Sequence, residues 1–439
     1  MTKTPSRGQG CPFTPSRRGV LLGLGAGGLG AMASVVQAPG AQAKDAPQVN
    51  DAPEARAETT ARRVPYLGAH QAGITTPRPE AGLVASFDVV AFSPKDVERM
   101  LRTLSERIAF LTQGGEVPER DPRLPPADSG LLGPVVQPDN LTITLGLGHS
   151  FFAGRDWLKD LAPAKLQQMV EFPNDALEPA LCHGDLSLQF CANLPDTNIH
   201  ALRDIVKNLS DTMVLRWMME GSVPPVVPDA SGETSSARNF LGFRDGSANP
   251  DSTDDAAMDR IVWTHGTDEP AWAQGGSYQA VRMIRNFVER WDRSALAEQE
   301  AIFGRRKVSG APLDGGPEAS ERDVPDYAAD PEGTATPLDC HIRMANPRTP
   351  GSEKHLILRR PFNYSRGVSP NGQLDQGLLF ICYQADLEAG FITVQNRLNG
   401  EPLEEYLKPF GGGYFFVLPG VSEAGDYLGS GLITAARRA

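Results

Sequence analysis

The order of the strand-like and helix-like segments constrains the fold of this chain more than any other feature. In the first half, alternation and helical periodicity indicate a strand, a helix, two more strands and then helical segments. These segments cover residues 82–92, 97–111, 141–147, 185–192, 198–209 and 212–219. A strand, a helix, two strands and a helix follow one another in the split βαβ unit of ferredoxin-like domains. The first half therefore predicts an α+β module of that kind.

The second half repeats this order in part. It follows a linker at residues 221–237 that is rich in Pro, Ser and Gly. Its strand and helix patterns cover residues 277–288, 294–303, 356–358, 377–383, 387–399 and 414–418. Residues 304–338 carry no such pattern, and loops of this length are usually functional or disordered. We predict two α+β modules, residues 65–222 and 223–439, without a close sequence repeat.

The N-terminus has the features of an export signal. A twin arginine, Arg17-Arg18, precedes a weakly apolar run, and the small residues of a cleavage site follow at 41–43. This combination is typical of a Tat signal peptide, which we assign to residues 1–43. The alternative, a membrane anchor, is opposed by the many glycines of the run, so no stable membrane span is expected in the mature chain. Residues 44–64 lack periodicity and predict a disordered linker.

Charge and cysteine content argue against several functions. Residues 1–43 hold four of the 42 bases and none of the 54 acids, so the rest of the chain has a net charge of −16. Such an acidic body disfavours nucleic acid as a partner. The five cysteines include no C-x-x-C pair. The signatures of zinc ribbons, thioredoxin-like sites and covalent c-type haem are therefore missing.

The segment at residues 338–367 combines a histidine with paired arginines. His341 follows the long loop, and Arg359 and Arg360 come after the apolar run 356–358, which predicts a short buried strand. A neutral imidazole can ligate a metal, whereas a guanidinium serves anions and developing negative charge. The pattern suggests a metal site with an anionic or peroxidic partner. Taken alone, it is more often a core histidine beside a solvated basic pair.

A carboxylate between two glycines opens the second half. Asp245 lies between Gly242 and Gly246 in the segment G-F-R-D-G-S-A-N-P. Glycines permit positive φ and a close approach of the backbone to a ligand. By itself an Asp-Gly pair mostly marks an ordinary turn. In combination with His341 and Arg359 it points to a site.

Together these motifs resemble those of the dye-decolorizing (DyP-type) haem peroxidases. The similarity is carried by G-F-R-D-G-S-A-N-P, H-I-R-M-A-N-P-R-T, L-R-R-P-F-N-Y-S-R-G and D-Q-G-L-L-F-I-C-Y-Q, and it extends from residue 66 to the C-terminus. The subgroup most similar to this chain is the periplasmic, Tat-exported deferrochelatase/peroxidase subgroup. The resemblance implies two ferredoxin-like modules that form a dimeric α+β barrel with one non-covalent haem b. The missing C-x-x-C-H motif agrees with non-covalent binding.

The resemblance also implies roles for single residues. His341 matches the proximal ligand of the iron. Asp245 matches the distal acid that moves the peroxide proton, and Arg359 matches the distal arginine that stabilises developing charge. Further haem contacts are implied for Gly246, Ser247, Ala248, Asn346, Pro347 and Arg348. Because strand alternation sends Arg359 and Arg360 to opposite sides, Arg360 is expected to be a propionate partner or a surface charge.

The sequence does not decide which carboxylate orients His341 or which aromatic side chains could relay electrons. Asp375 and Glu404 are candidates for the carboxylate that orients His341. Aromatic side chains that could relay electrons from bulky donors are Tyr364, Trp263, Trp272 and Trp291. Such aromatics usually belong to the core. The other histidines are expected to be structural or exposed, and Cys340 is not expected to ligate iron.

The function that the resemblance implies is a haem b peroxidase that cleaves hydrogen peroxide and oxidises donors, dyes included, in one-electron steps. The alternative is a deferrochelatase, which releases iron from haem and leaves the porphyrin intact for iron supply. A chlorite dismutase-like enzyme of related fold is disfavoured by the Asp245 and Arg359 motifs. Expected partners are peroxide, a reducing donor and components of an iron-uptake system. The chain is expected to act as a homodimer in the periplasm, or to be secreted, after Tat export.

Overall fold

The structure is a computed structural model that describes residues 59–226, 228, 234–266 and 268–439. The predicted Tat signal and the linker up to residue 58 lie outside the described residues. Residues 59–64, which composition assigned to the linker, belong to the folded body. The carbonyls of Thr60 and Arg62 accept hydrogen bonds from the N–H groups of Asp139 (2.7 Å) and Asn140 (2.8 Å).

The first long helix forms where the local sequence predicts it. α1 (Pro94–Gln113) begins at Ser93, whose side chain accepts a hydrogen bond from the N–H of Asp96. A serine before the helix and a proline in its first turn are both favoured at helix starts. The apolar positions that recur at helical spacing are all buried in the main hydrophobic core. The prediction for this element is confirmed.

The strands of the described chain run through both halves. They are β1 (Ala81–Val89), β2 (Gly115–Glu116), β3 (Val135–Val136), β4 (Thr142–Gly148), β5 (Leu186–Ala192), β6 (Met213–Ser222), β7 (Ser277–Asn286), β8 (Leu358–Arg359), β9 (Phe362–Val368), β10 (Leu374–Gln384) and β11 (Leu407–Val417). Apart from the small β2–β3 pair, they form one nine-stranded sheet in the order β7-β11-β4-β5-β1-β6-β9-β10-β8.

The sheet closes on itself. β7 pairs with β11 at one end of the order and also with β10, so the strands other than β8 form a closed ring. The two halves meet where β4 pairs with β11 and where β6 touches β9 at Ser222 and Asn363. Every pairing between these described strands is antiparallel. The α+β barrel of two ferredoxin-like modules is therefore confirmed.

Helices cover the outside of the barrel. After α1 they are α2 (His149–Ala153), α3 (Pro195–Asn208), α4 (Asp255–Ile261), α5 (Val288–Trp291), α6 (Leu296–Phe303), α7 (His341–Ala345), α8 (Thr393–Leu398) and α9 (Ser430–Ala436). Short 3-10 helices occur at Asp156–Leu161, Pro179–Leu181, Ala271–Ala273, Ser352–His355 and Pro402–Tyr406, and a π-helical turn at Glu388–Ile392 precedes α8. Among the helices described, none is long and apolar enough to cross a membrane.

The two faces of β7 belong to different cores. Val281 and Met283 join a cluster with side chains of β1, β9, β10 and β11, as expected for the barrel interior. Tyr278 and Ala280 join the cluster that contains the buried face of α1. This alternation is that of a strand with two buried faces. The outer face of β7 and β10 faces α7 and α8, and the candidate site lies between them.

Several element predictions are wrong. Residues 212–219 were predicted to be helical but form most of β6, which pairs with β1 from Ala81↔Ser222 to Val89↔Met213. Strand β9 and helix α4 were not predicted. Residues 304–338, all within the described chain, contain no helix or strand, in agreement with the prediction.

Candidate active site

His341 is held by a buried carboxylate. His341 starts α7, and its Nδ1 lies 2.7 Å from Oε2 of Glu401, a side chain that is only 4% exposed. Burial disfavours the charged imidazole, but the Glu401 carboxylate outweighs this effect and raises the pKa of His341. Because Nδ1 is committed to Glu401, Nε2 is the nitrogen left to bind a metal in the cavity that His341 lines.

The carboxylate that orients His341 was not among the candidates named from sequence. Asp375 pairs instead with Arg366 at 2.9 Å. Glu404 lines the cavity but Glu401 makes the contact with His341. Glu401 lies 60 residues after the histidine. No local motif links the two positions, so only the fold could identify the pair.

Asp245 and Arg359 form an ion pair on the wall of the same cavity. Nη1 of Arg359 donates to Oδ1 of Asp245 at 2.9 Å, and Nη2 donates to the carbonyl of Ser247 at 3.0 Å. Burial raises the pKa of the Asp245 carboxyl, and the Arg359 and Arg78 guanidinium groups offset only part of that effect. The structure thus places a proton-accepting carboxylate beside a fixed positive charge.

The two neighbouring arginines separate as strand alternation predicts. Arg359 lines the cavity. Arg360 is buried and its guanidinium donates to the carbonyls of Thr76 and Pro77. The expectation that Arg360 is a propionate partner or a surface charge is therefore wrong. Its charge anchors the segment before β1 to the end of β8.

The cavity between the sheet and α7 is largely apolar. Its volume is about 260 Å³. The sheet side carries Ile284, Leu378 and Phe380, and the helix side carries Ile342, Phe391, Val394 and Leu398. Such walls suit a large planar apolar group with few polar anchors. Leu378 and Phe380 were not predicted as site residues, because an apolar alternation in a strand looks the same in any core.

Basic residues and a tyrosine also line the cavity. Arg305 is buried and donates to the Gly310 carbonyl at 2.7 Å. Arg348 has positive φ, and its buried Nε has no hydrogen-bond partner in the described chain. Within the described chain, no hydrogen bond reaches the buried hydroxyl of Tyr327; burial raises its pKa, and the nearby Arg348 and Arg305 guanidinium groups offset part of that effect. Unpaired donors in an apolar cavity suit the carboxylates of an amphipathic ligand.

Of the other residues expected to contact haem, four line the cavity and two do not. Ser247, Ala248, Asn346 and Arg348 line the cavity. Gly246 and Pro347, both in the described part of the chain, are not in its lining. Gly246 instead packs on Ser236, where an added Cβ would come within 2.4 Å of the serine Cβ. Gly246 is therefore needed for a close backbone approach within the loop rather than for a wall of the cavity.

A chain of aromatic rings leads from His341 to Tyr406. The ring centroid of Phe303 lies 5.8 Å from that of His341 and 5.8 Å from that of Trp291, and Trp291 lies 4.8 Å from Tyr406. The Tyr406 hydroxyl is 3.0 Å from the side-chain oxygen of Ser294. Of the four aromatics named from sequence, Trp291 is the one that ring contacts link to the histidine.

The other three aromatic candidates lie elsewhere in the described chain. Trp263 stacks on His70 with centroids 3.7 Å apart. Trp272 packs on Phe416 in the main core. Tyr364 is buried in the barrel interior. Their surroundings are those of ordinary core side chains.

Comparison with known proteins identifies the family of this chain. The family models described as Dyp-type peroxidase, N-terminal, and Dyp-type peroxidase, C-terminal, match residues 71–222 and 236–422. The chain is 55% identical over 421 residues to a deferrochelatase of Shigella sonnei, covering 95% of this chain and 97% of that protein. Deferrochelatase of Escherichia coli K12 matches with the same identity and coverage.

A solved structure shows the same architecture. A DyP-type peroxidase from Streptomyces coelicolor superposes with a TM-score of 0.76 and 34% identity, covering 86% of this chain and 98% of its own. Both family models match, and together they cover most of the chain, which shows the family of this protein. The chain belongs to the DyP-type peroxidase family and is a haem-dependent peroxidase.

Proposed function

We propose that the cavity would hold one non-covalent haem b and that Nε2 of His341 would bind its iron. The support is the donor set: one histidine whose other nitrogen is bound to Glu401, apolar walls, and unpaired donors on Arg348 and Tyr327 for the haem carboxylates. The porphyrin would supply the other iron ligands, so a single histidine from the protein suffices. Soret titration should give one haem per chain, and acid–butanone extraction should remove it.

The bound haem would supply the two-electron reduction of peroxide, and Asp245 would supply the proton transfer. The ionised carboxylate takes a proton from one peroxide oxygen and returns it to the other, which leaves as water. Arg359 holds positive charge where negative charge develops as the O–O bond breaks. Its bond to Asp245, at 2.9 Å, places both groups at one position in the cavity.

The observation that carries this proposal is the meeting of Asp245, Arg359 and His341 in one cavity, although they come from three separate segments of the chain. The test is stopped-flow absorbance of haem-loaded protein mixed with one equivalent of peroxide. The wild type should show a rapid loss of Soret intensity, and Asp245→Asn should not. An Asp245→Asn protein that reacts at the wild-type rate would exclude the assigned role.

The second candidate function, iron release from haem, rests on the relatives named deferrochelatase at 55% identity. Iron would then be cargo, and metal-free protoporphyrin would be the product. Peroxidase turnover retains the haem, so the two activities separate in one experiment. Incubation of haem-loaded protein without peroxide should release porphyrin fluorescence if the second function holds. A constant haem content during turnover favours the first alone.

We propose that bulky donors deliver electrons along the path Tyr406, Trp291 and Phe303. The ring contacts on this path support the proposal, because a donor too large for the cavity needs a conducting route through the protein. Tyr406 is buried, but its hydroxyl reaches Ser294 near the surface. Small donors would instead enter the cavity and would not depend on Trp291.

We further propose Tat export to the periplasm or the exterior, where components of an iron-uptake system would be partners. Replacement of Arg17-Arg18 by a lysine pair should leave the protein in the cytoplasm on fractionation. A homodimer is supported by exposed apolar residues near β6, namely Val90, Phe92, Val214 and Leu215. Light scattering should show a dimer, and Phe92→Ser should weaken it.

A further inference from the structure

The distal arginine is held through its backbone as well as through its guanidinium. β8 is the last strand in the sheet order, and among the described strands it pairs with β10 alone. In an antiparallel pair, the N–H and C=O of alternate residues point away from the partner strand. At a sheet edge these groups need another partner. For Arg359 the partner is a single side chain, that of Asn249.

Asn249 binds both exposed backbone groups of Arg359. The Arg359 N–H donates to Oδ1 of Asn249 at 2.9 Å, and Nδ2 of Asn249 donates to the Arg359 carbonyl at 3.0 Å. An N–H can only donate and a carbonyl can only accept, so the two bonds also determine the orientation of the amide. The side chain therefore takes the place of a neighbouring strand at this one residue.

The same asparagine belongs to the loop that carries Asp245. Its own N–H donates to the Gly246 carbonyl at 3.1 Å, which closes the turn after Asp245. Ala248, just before it, has a φ of +58°, a left-handed conformation that a residue other than glycine adopts only when its surroundings hold it there. The loop geometry thus delivers the amide to the edge of β8.

We propose that Asn249 is a positioning residue that sets the distance between the Arg359 guanidinium and the Asp245 carboxylate. This inference rests on the proposed roles of Asp245 and Arg359. An arginine side chain has several rotatable bonds, and contacts at its guanidinium leave its backbone free to shift. When the backbone is also fixed, fewer positions remain open to the guanidinium. Asn249 itself touches neither haem nor peroxide in this assignment.

The test compares haem-loaded Asn249→Ala with wild type in two measurements. One is the rate of Soret change with peroxide, and the other is the affinity of the ferric protein for fluoride. Fluoride on the iron accepts a hydrogen bond from a distal guanidinium, so its affinity reports the position of Arg359. We expect both to fall by about 10- to 100-fold, the range typical of residues that orient a catalytic or metal-binding group. Haem content and the Soret maximum should not change.

Matched variants separate positioning from general damage. Asn249→Gln keeps both amide groups and should recover part of each loss. Asn249→Asp keeps the acceptor but places a carboxylate oxygen against the Arg359 carbonyl, so we expect the same losses of rate and fluoride affinity as for Asn249→Ala. If the alanine variant folds poorly, Asn249→Asp provides the test instead. Asn193→Ala removes an amide that donates to Thr59 and Asp139 in the other half, and it should match the wild type.

The outcomes also distinguish this inference from the proposed function. Arg359→Leu serves as the reference for complete loss of the guanidinium. If Arg359→Leu is impaired but Asn249→Ala and Asn249→Asp equal the wild type in both measurements, the positioning role is wrong and the proposed function stands. If Arg359→Leu also equals the wild type, the role of Arg359 fails and the positioning role fails with it.

Discussion

The contact between Glu401 and His341 allows a quantitative prediction for Glu401→Gln. The Glu401 side chain is 4% exposed and its Oε2 lies 2.7 Å from Nδ1, so water screens the interaction little. A hydrogen bond to a charged group contributes about 1.5–3 kcal/mol net, against about 0.5–1.5 kcal/mol for a neutral one. The amide keeps an acceptor but loses the charge. The difference of about 1–1.5 kcal/mol corresponds to roughly a tenfold weaker affinity for haem.

The assay is a Soret titration of haem-free protein with haem. Apomyoglobin is added as a competitor so that a low dissociation constant can be measured. Glu401→Gln should also raise the Fe(III)/Fe(II) potential. The negative charge of Glu401 stabilises the ferric state in the wild type, and the amide of glutamine does not supply it. Glu405→Gln is the matched control, since Glu405 is an exposed residue of the same helical turn that pairs with Arg290. Equal haem affinity and potential in Glu401→Gln and wild type would refute the assignment of Glu401.

Three further predictions concern the axial ligand, the distal carboxylate and the aromatic path. His341→Ala should lose its haem on desalting, and a fully loaded protein with an unchanged Soret band would rule out the ligand. The peroxide rate should fall as pH drops through the pKa of Asp245, because only the ionised carboxylate accepts a proton; burial raises that pKa above the ordinary value of about 3.9. Arg359→Leu should move the fall to higher pH, since the guanidinium lowers the same pKa, and identical pH profiles would contradict this. Trp291→Phe should lower turnover of a bulky dye but not of a small phenol, and equal losses for both donors would remove the relay.

Local sequence was sufficient where the determinants of structure are local. The start of α1 follows from Ser93 and Pro94, because a cap and a fixed φ act within one turn. The order of strands and helices indicated the α+β class, and the motifs around Asp245, His341 and Arg359 indicated a peroxidase. The alternation that sends Arg359 and its neighbour to opposite sides needs only the geometry of a strand.

Residues 212–219 show where such reasoning stops. Their apolar side chains fit a helical stripe as well as a strand, so pattern alone does not choose between the two. These residues become a strand because residues 213–222 pair with β1, whose residues lie at least 124 positions earlier in the chain. Tertiary hydrogen bonds of this kind override local propensity.

The amino-acid sequence was sufficient to predict the fold class and the residues expected to carry the chemistry. The carboxylate that holds His341, the position of Arg360 and the side chain that supports Arg359 became apparent in the folded chain alone. Glu401 reaches the histidine across 60 residues, and Asn249 reaches the edge of β8 across 110. Contacts at such separations depend on how the barrel closes and how the loops lie on it. No short stretch of sequence contains that information.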